Sequence, residues 1–231
     1  MKSNVIIAMA IGFLGVSGLV EAAPAYGTKM PVKNQWFVGG QTHAILKRTL
    51  DRNNGEIKSL QYFLLLSYGV TDWFSLDLKG GAGDIEQKPS SGNTIQYPAF
   101  MAGGYGFRVR LYERDRKKIV FGFQHISVHP QTVDVTAAHD TKNKAVIDDW
   151  QFSFLGSYAF KHFTPYVGGK WSRTDCIHWV NEIRARRKSE LDKSLGGIAG
   201  FDLPLTHRMW FNVEGQWGDG EAVSGSLNFS F

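Results

Sequence analysis

Asp77, Lys79, Arg108, Arg110, Lys170, Asp202 and Glu214 are charged residues set inside alternating, largely apolar stretches rather than between them. Each shares a strand face with small or polar neighbours: Asp77 and Lys79 with Ser75, and Glu214 with Asn212 and Gln216. Charges in that setting do one of two things. Paired, they hold a polar interior together, because a desolvated charge without a partner is strongly unfavourable. Hydrated, they line a narrow path for ions or small solutes.

A second group has the spacing of nucleophilic chemistry. His125-Ile126-Ser127 puts a histidine and a serine two residues apart, hence on one face of a strand, beside Phe121 and Phe123. A serine hydroxyl becomes a nucleophile when a neighbouring base takes its proton. The densest basic run is Arg184-Ala185-Arg186-Arg187-Lys188, followed by Lys193. It has the chemistry to bridge phosphates through charge-assisted hydrogen bonds, although Glu182, Glu190 and Asp192 interleave and could neutralise it. His129, His139, Asp140, Asp175 and His178 lie in polar segments without the compact spacing of a metal site, so no metal and no other cofactor is expected. The single cysteine, Cys176, rules out an intrachain disulfide.

These residues need a scaffold, and alternation supplies it. Ten strands are read, near 35–45, 58–68, 73–83, 99–111, 119–128, 150–160, 164–172, 195–205, 209–217 and 222–231. Met209, Phe211, Val213, Gly215 and Trp217 oppose Trp210, Asn212, Glu214 and Gln216 in the cleanest internal one. The fifth strand blurs after Phe123. Long polar links near 46–57, 84–97, 130–148 and 173–194 alternate with short ones near 69–72, 112–117, 161–163 and 206–208. The last outer link, Gly218-Asp219-Gly220-Glu221, suits a tight hairpin. The reading is all-β: a closed antiparallel transmembrane β-barrel of about ten strands, eight being the alternative count.

Both termini fit export. Met1 to Ala22 has a basic Lys2, an apolar run from Val5 to Val20 and a small-residue exit, the layout of a cleaved signal peptide. Residues 23–34 are then a short periplasmic tether, and 35–231 the barrel. The formal charge of +5 survives cleavage, since Lys2 and Glu21 leave together. The final stretch, AVSGSLNFSF, alternates Val223, Gly225, Leu227, Phe229 and Phe231 with Ser224, Ser226, Asn228 and Ser230.

That closing pattern resembles the last strand of Gram-negative outer-membrane β-barrels. The resemblance implies an outer-membrane location and a terminal signal, Phe229 and Phe231, read by the assembly machinery. It also implies a surface in contact with outer-membrane lipid and lipopolysaccharide, with Arg184, Arg186, Arg187 and Lys188 as phosphate contacts; export leaves no role with nucleic acid. The function read from these features is a structural or narrow-pore barrel, more a non-enzyme than an enzyme, with its lumen plugged by ion pairs among the seven charges. Two alternatives stand beside it. His125-Ile126-Ser127 resembles a fragment of the motif in outer-membrane lipid A deacylases, with Val128 where an Asn usually follows, so a barrel hydrolase, lipid A deacylase-like or protease-like, is one. A soluble periplasmic lipid-binding barrel is the other.

Overall fold

The computed structural model describes residues 27–50, 55–90, 92–137, 139–180, 183–188 and 194–231. The expected signal peptide lies outside them. The elements are β1 (Trp36–Thr49), β2 (Glu56–Gly69), β3 (Phe74–Lys88), β4 (Ile95–Arg114), β5 (Lys117–His129), β6 (Val133–Ala137), β7 (His139–Tyr158), β8 (Thr164–Val180), β9 (Ile183–Lys188), β10 (Leu195–Pro204), β11 (Met209–Trp217) and β12 (Glu221–Ser230).

Ten of these form a closed antiparallel ring in the order β1-β2-β3-β4-β5-β7-β8-β10-β11-β12. The ring shuts where β12 returns to β1, from Phe37 opposite Ser230 to Lys47 opposite Glu221. Phe231 itself completes the seam: its amide donates to the Trp36 carbonyl at 2.9 Å. Closure leaves the ten strands no free edge through the membrane, as a lipid environment requires of a sheet.

Two of the expected long loops are largely strand. Within 130–148 and 173–194, β7 starts at His139 and β8 runs on to Val180, while β6 and β9 pair with these upward extensions. Asn143 still lies opposite Val180, so the β7–β8 ladder continues far beyond the aromatic band at Trp150 and Trp171. The wall therefore projects out of the membrane as ordered sheet.

Strand faces explain the architecture. On β2 and β3, Tyr62, Leu64, Leu76 and Leu78 are exposed, whereas Gln61, Ser67, Ser75, Asp77 and Lys79 are buried. In water this would be inside out. Around a barrel in lipid it is the favourable sense, because only alternate residues meet hydrocarbon. The band of Trp36, Phe160, Phe229 and Phe231 at one end and Trp150, Trp171 and Trp217 at the other is likewise exposed, where amphipathic rings settle at an interface.

The chain before β1 does not stay outside the barrel as a tether. From Gly27 to Met30 it packs into the periplasmic mouth, with Thr28 and Met30 buried. Gly69 makes room for this entry. A Cβ there would stand 1.9 Å from the Val32 carbonyl oxygen, and the Asn34 amide instead donates to the Gly69 carbonyl at 2.8 Å.

Candidate functional site

The lumen is the first candidate, and its charges are tied to one another. Arg108 on β4 grips Asp77 on β3 with two bonds, Nε to Oδ2 at 2.9 Å and Nη2 to Oδ1 at 2.7 Å. Its remaining nitrogen, Nη1, donates to the Lys29 carbonyl at 2.6 Å, so the entering segment is fastened to the same guanidinium. Lys29 lays its ammonium over the Trp210 ring, 3.8 Å from the centroid. Lys79 donates to Gln124, two strands along the same wall, at 3.0 Å.

A second chain of contacts climbs the opposite wall. Asn212 donates to Asp202 at 2.9 Å and to the Tyr166 hydroxyl at 3.0 Å, which donates on to Glu214 at 2.9 Å. Gln216 donates to Glu214 and accepts from Lys170 at 2.6 Å. Lys170 in turn pairs with Asp219 at 2.8 Å, and Asp219 with Arg48 at 3.0 Å. Arg48 also donates to Ser172 at 2.8 Å. This column runs from the periplasmic end of β10 to the turn between β11 and β12. Every link is buried, where a hydrogen bond is electrostatically stronger and a missing partner more costly than in water.

Six of the seven expected lumen charges are therefore inside. Arg110 is the correction. The register shifts by one between Arg110 and Tyr112, and Arg110 ends at the periplasmic rim, bonded to Glu113 and to the Asp72 carbonyl. Lys118 pairs with the same carboxylate at 3.0 Å. Partial burial pushes the Glu113 carboxyl up, but Lys118 and Arg110 outweigh it and hold it below the usual carboxylate range.

Two lumen residues are not legible in the sequence, Arg48 and Asp219. Strict alternation from Phe37, Gln41 and His43 would put Lys47 inside and Arg48 outside. A bulge between Ile45 and Arg48 reverses this, which is how an extra residue re-aims a side chain. Asp219 sits in a hairpin turn, ordinarily a solvated place, yet its side chain is fully buried. Gly218, at φ +101°, supplies the left-handed backbone that swings the turn inward. Beside it, a Cβ on Gly220 would meet Arg48 at 2.5 Å.

The extracellular half of the lumen adds another chemistry beside the upper end of the polar column. Leu50, Ile57, Phe63, Leu65, Ile85, Tyr97, Ala102, Ile126, Val128, Ala145, Ile147 and Cys176 form one buried apolar cluster drawn from β2, β3, β4, β5, β7 and β8 and from Leu50 just after β1. It explains the blurred fifth strand. Phe121 and Phe123 face out with Gly122 and Gln124 inside; two residues higher, His125, Ser127 and His129 face out with Ile126 and Val128 inside. Alternation persists, but its polarity has reversed.

That reversal puts the second candidate on the outer surface. Ser127 lies opposite Asp148 in the ladder, and its hydroxyl donates to Asp148 Oδ1 at 2.5 Å. His129 Nε2 is 2.8 Å from the same Oγ, and His125 Nε2 is 3.7 Å from the carboxylate. The histidine bonded to Ser127 is thus His129, not His125 of the sequence reading. Proton counting limits the chemistry: a hydroxyl has one proton, here given to Asp148, so His129 must donate to Ser127 Oγ. A general base would have to accept.

The remaining expected site residues divide. His178 faces the lumen beside Tyr97, ring centroids 6.4 Å apart, and Asp175 accepts from Arg173 at 3.2 Å. Among the described residues no group of three or more His, Cys, Asp or Glu is placed to hold a metal. In the basic run, Arg184, Arg186, Arg187 and Lys188 stand in register with Trp179, Ile177, Cys176 and Asp175.

Comparison with known proteins agrees with this architecture. The model of a family described as Chlamydia major outer membrane protein matches residues 122–190, a minority of the chain. No curated protein matches the sequence. Among solved structures, the transport unit of the autotransporter AIDA-I from Escherichia coli aligns over 99% of this chain and 98% of its own, with a TM-score of 0.50 and 13% identity. The translocator domain of the autotransporter NalP from Neisseria meningitidis aligns over 100% and 94%, with a TM-score of 0.49 and 10% identity. The AIDA-I likeness is one of fold. Together with the lipid-facing apolar belt and the closed ten-strand ring, it gives this chain the fold of an outer-membrane β-barrel.

Proposed function

We propose that this protein is a closed, non-conducting outer-membrane barrel whose role is structural, with the lumen sealed by a polar network and an apolar cluster. The observation that carries the reading is the filling of the interior. A cavity of about 20 Å³ beside Arg108, Gln41 and Asn212, and another of about 10 Å³ beside Gln124 and Ser153, are the sizes that hold about one water each. The wider space, about 190 Å³, opens at the periplasmic mouth around Lys29, Arg116, Lys117, Asp202 and Trp210. Above it, the side chains of the apolar cluster fill the interior beside the ion-paired Arg48, Lys170 and Asp219.

Near balance of charge supports the same reading. Arg48, Lys79, Arg108 and Lys170 face Asp77, Asp149, Asp202, Glu214 and Asp219, all buried, so the interior carries little net field to draw one sign of ion. Purified protein in planar bilayers tests this directly. Little steady conductance is expected. Large, stable channels in the unmodified protein would reject the plug and promote the pore reading.

A further inference from the structure

The cations of the lumen meet partners directly, whereas two opposite charges at the periplasmic mouth do not. Arg48, Lys79, Arg108 and Lys170 each bond to a side chain. Lys29 and Asp202 instead border the same space of about 190 Å³. Asp202 accepts from Asn212 through Oδ1, while its Oδ2 is buried with no donor. The Lys29 ammonium rests over the Trp210 ring, 3.8 Å from its centroid, rather than on that oxygen. Each charge acts on the other through space, yet among the described residues no ion pair joins them.

The edge of the mouth adds unpaired cations. Only Asp115 and Arg116 separate β4 from β5, and Asp115 takes the left-handed backbone at φ 55° that a tight turn needs. The turn sets Arg116 and Lys117 on the border of the same space. Both are exposed, and among the described residues neither has a carboxylate partner. Their neighbour Lys118 is already held by Glu113 at 3.0 Å. Deeper in, Thr28 donates to Ser157 at 2.7 Å, which leaves the Ser157 hydroxyl proton for a ligand.

A buried carboxylate oxygen without a donor forfeits the solvation it had in water, and an unpaired ammonium on the same space lacks an acceptor. One molecule carrying both complementary groups satisfies the two together. We propose that the periplasmic mouth binds a small zwitterion, a free amino acid or short peptide, with its ammonium on Asp202 Oδ2 and its carboxylate among Lys29, Arg116 and Lys117. Hydrogen bonds between charged groups are the strong ones. The space equals about six waters in volume, the bulk of an amino acid or a glycine dipeptide. A simple anion would leave Asp202 without its donor, and a simple cation would meet Lys29 and the cations of the edge. The inference concerns the mouth alone and holds whether or not the lumen conducts, so bilayer conductance and ligand binding test the plug and the site separately.

Calorimetric titration of the full mature chain in phosphatidylcholine nanodiscs tests it with glycylglycine, with its N-acetyl form, which has no ammonium, and with its amide, which has no carboxylate. Glycylglycine should bind saturably, and each blocked form about tenfold more weakly. Asp202→Asn, which keeps the side-chain shape, should weaken glycylglycine about tenfold and leave the N-acetyl form within about twofold. Arg116→Ser with Lys117→Ser should weaken it about fivefold, whereas Lys33→Ser with Arg208→Ser, removing equal charge from exposed positions elsewhere on the rim, should change it by less than about twofold. Should Asp202→Asn fail to give the folded gel band, the blocked probes and the two rim pairs decide. Absence of saturable binding would leave the space to water alone and overturn the proposal. So would blocked forms that bind as tightly as the free dipeptide, an unchanged affinity in Asp202→Asn, or equal losses in the two rim pairs.

Discussion

The same strands are built with opposite polarity at two heights. In the membrane, β5 and β7 turn Phe121, Phe123, Phe152 and Phe154 outward and Gly122, Gln124, Gln151 and Ser153 inward. Above it they turn His125, Ser127, Asp148 and Lys144 outward and Ile126, Val128, Ile147 and Ala145 inward. Pairing, twist and side-chain period are unchanged. What changes is the solvent: hydrocarbon outside the lower wall, water outside the upper one. The lower interior can then be polar only if its groups bond to each other, and the upper interior can hold an apolar cluster. The buried Arg48–Asp219–Lys170 pairs continue up beside the apolar cluster, so the two kinds of seal overlap there, and they fail differently.

The largest expected effect comes from forcing lower-wall chemistry into the upper interior. Ile126→Asp puts an unpaired carboxylate into the apolar cluster and should cost about 4 kcal/mol or more, or abolish the folded form. Ser127→Ala, the neighbouring residue on the wet side, should cost about 1 kcal/mol. Heat-dependent gel migration reads both, because a closed barrel resists detergent until boiled. Equal midpoints for the two variants would mean that the polarity does not reverse.

Next comes the polar seal. Arg108→Ser strands Asp77 and releases the Lys29 carbonyl, and should cost about 3–5 kcal/mol. Arg110→Ser at the solvated rim should cost under about 1 kcal/mol. Conductance sharpens the contrast: with the apolar layer intact, Arg108→Ser alone should destabilise the barrel without opening it. Steady current through that variant would show that the polar layer was the only barrier.

The lipid face should respond to charge in proportion to depth. Phe152→Arg, within the belt, should cost about 2–4 kcal/mol. Phe231→Asp at the seam should act mainly on assembly, lowering the amount of folded protein at the cell surface, while Ser230→Thr on the other face should be mild. Unchanged surface levels of Phe231→Asp would remove the terminal residue from any assembly role.

The smallest effect is electrostatic. Glu113 has its folded pKa below the ordinary carboxylate value, so it contributes stability above the unfolded pKa, near 4.5. That contribution is lost as pH falls through the folded value. Glu113→Gln should therefore flatten the acid limb of the stability curve and leave neutral pH changed by less than about 1 kcal/mol. A steeper acid limb in the variant would contradict the pairing with Lys118.

Period-2 alternation, read with the rhythm of long and short links, was enough to point to about ten barrel strands, their antiparallel order and the lipid-facing side, because a barrel in hydrocarbon leaves each strand residue only two faces; it did not show β6 and β9. The inward positions of Asp77, Lys79, Arg108, Lys170, Asp202 and Glu214 followed from the same parity. Parity fails wherever the backbone gains a residue or leaves the ladder. A bulge after Ile45 brought Arg48 inside, a shift at Tyr112 left Arg110 at the rim, and a left-handed Gly218 carried Asp219 into the interior. The apolar layer was hidden for another reason: Ile126 and Val128 carry no sign of which solvent lies beyond their neighbours. Only the height of each residue above the membrane decides whether its apolar side must face out or in, and height is set by how ten strands close on one another.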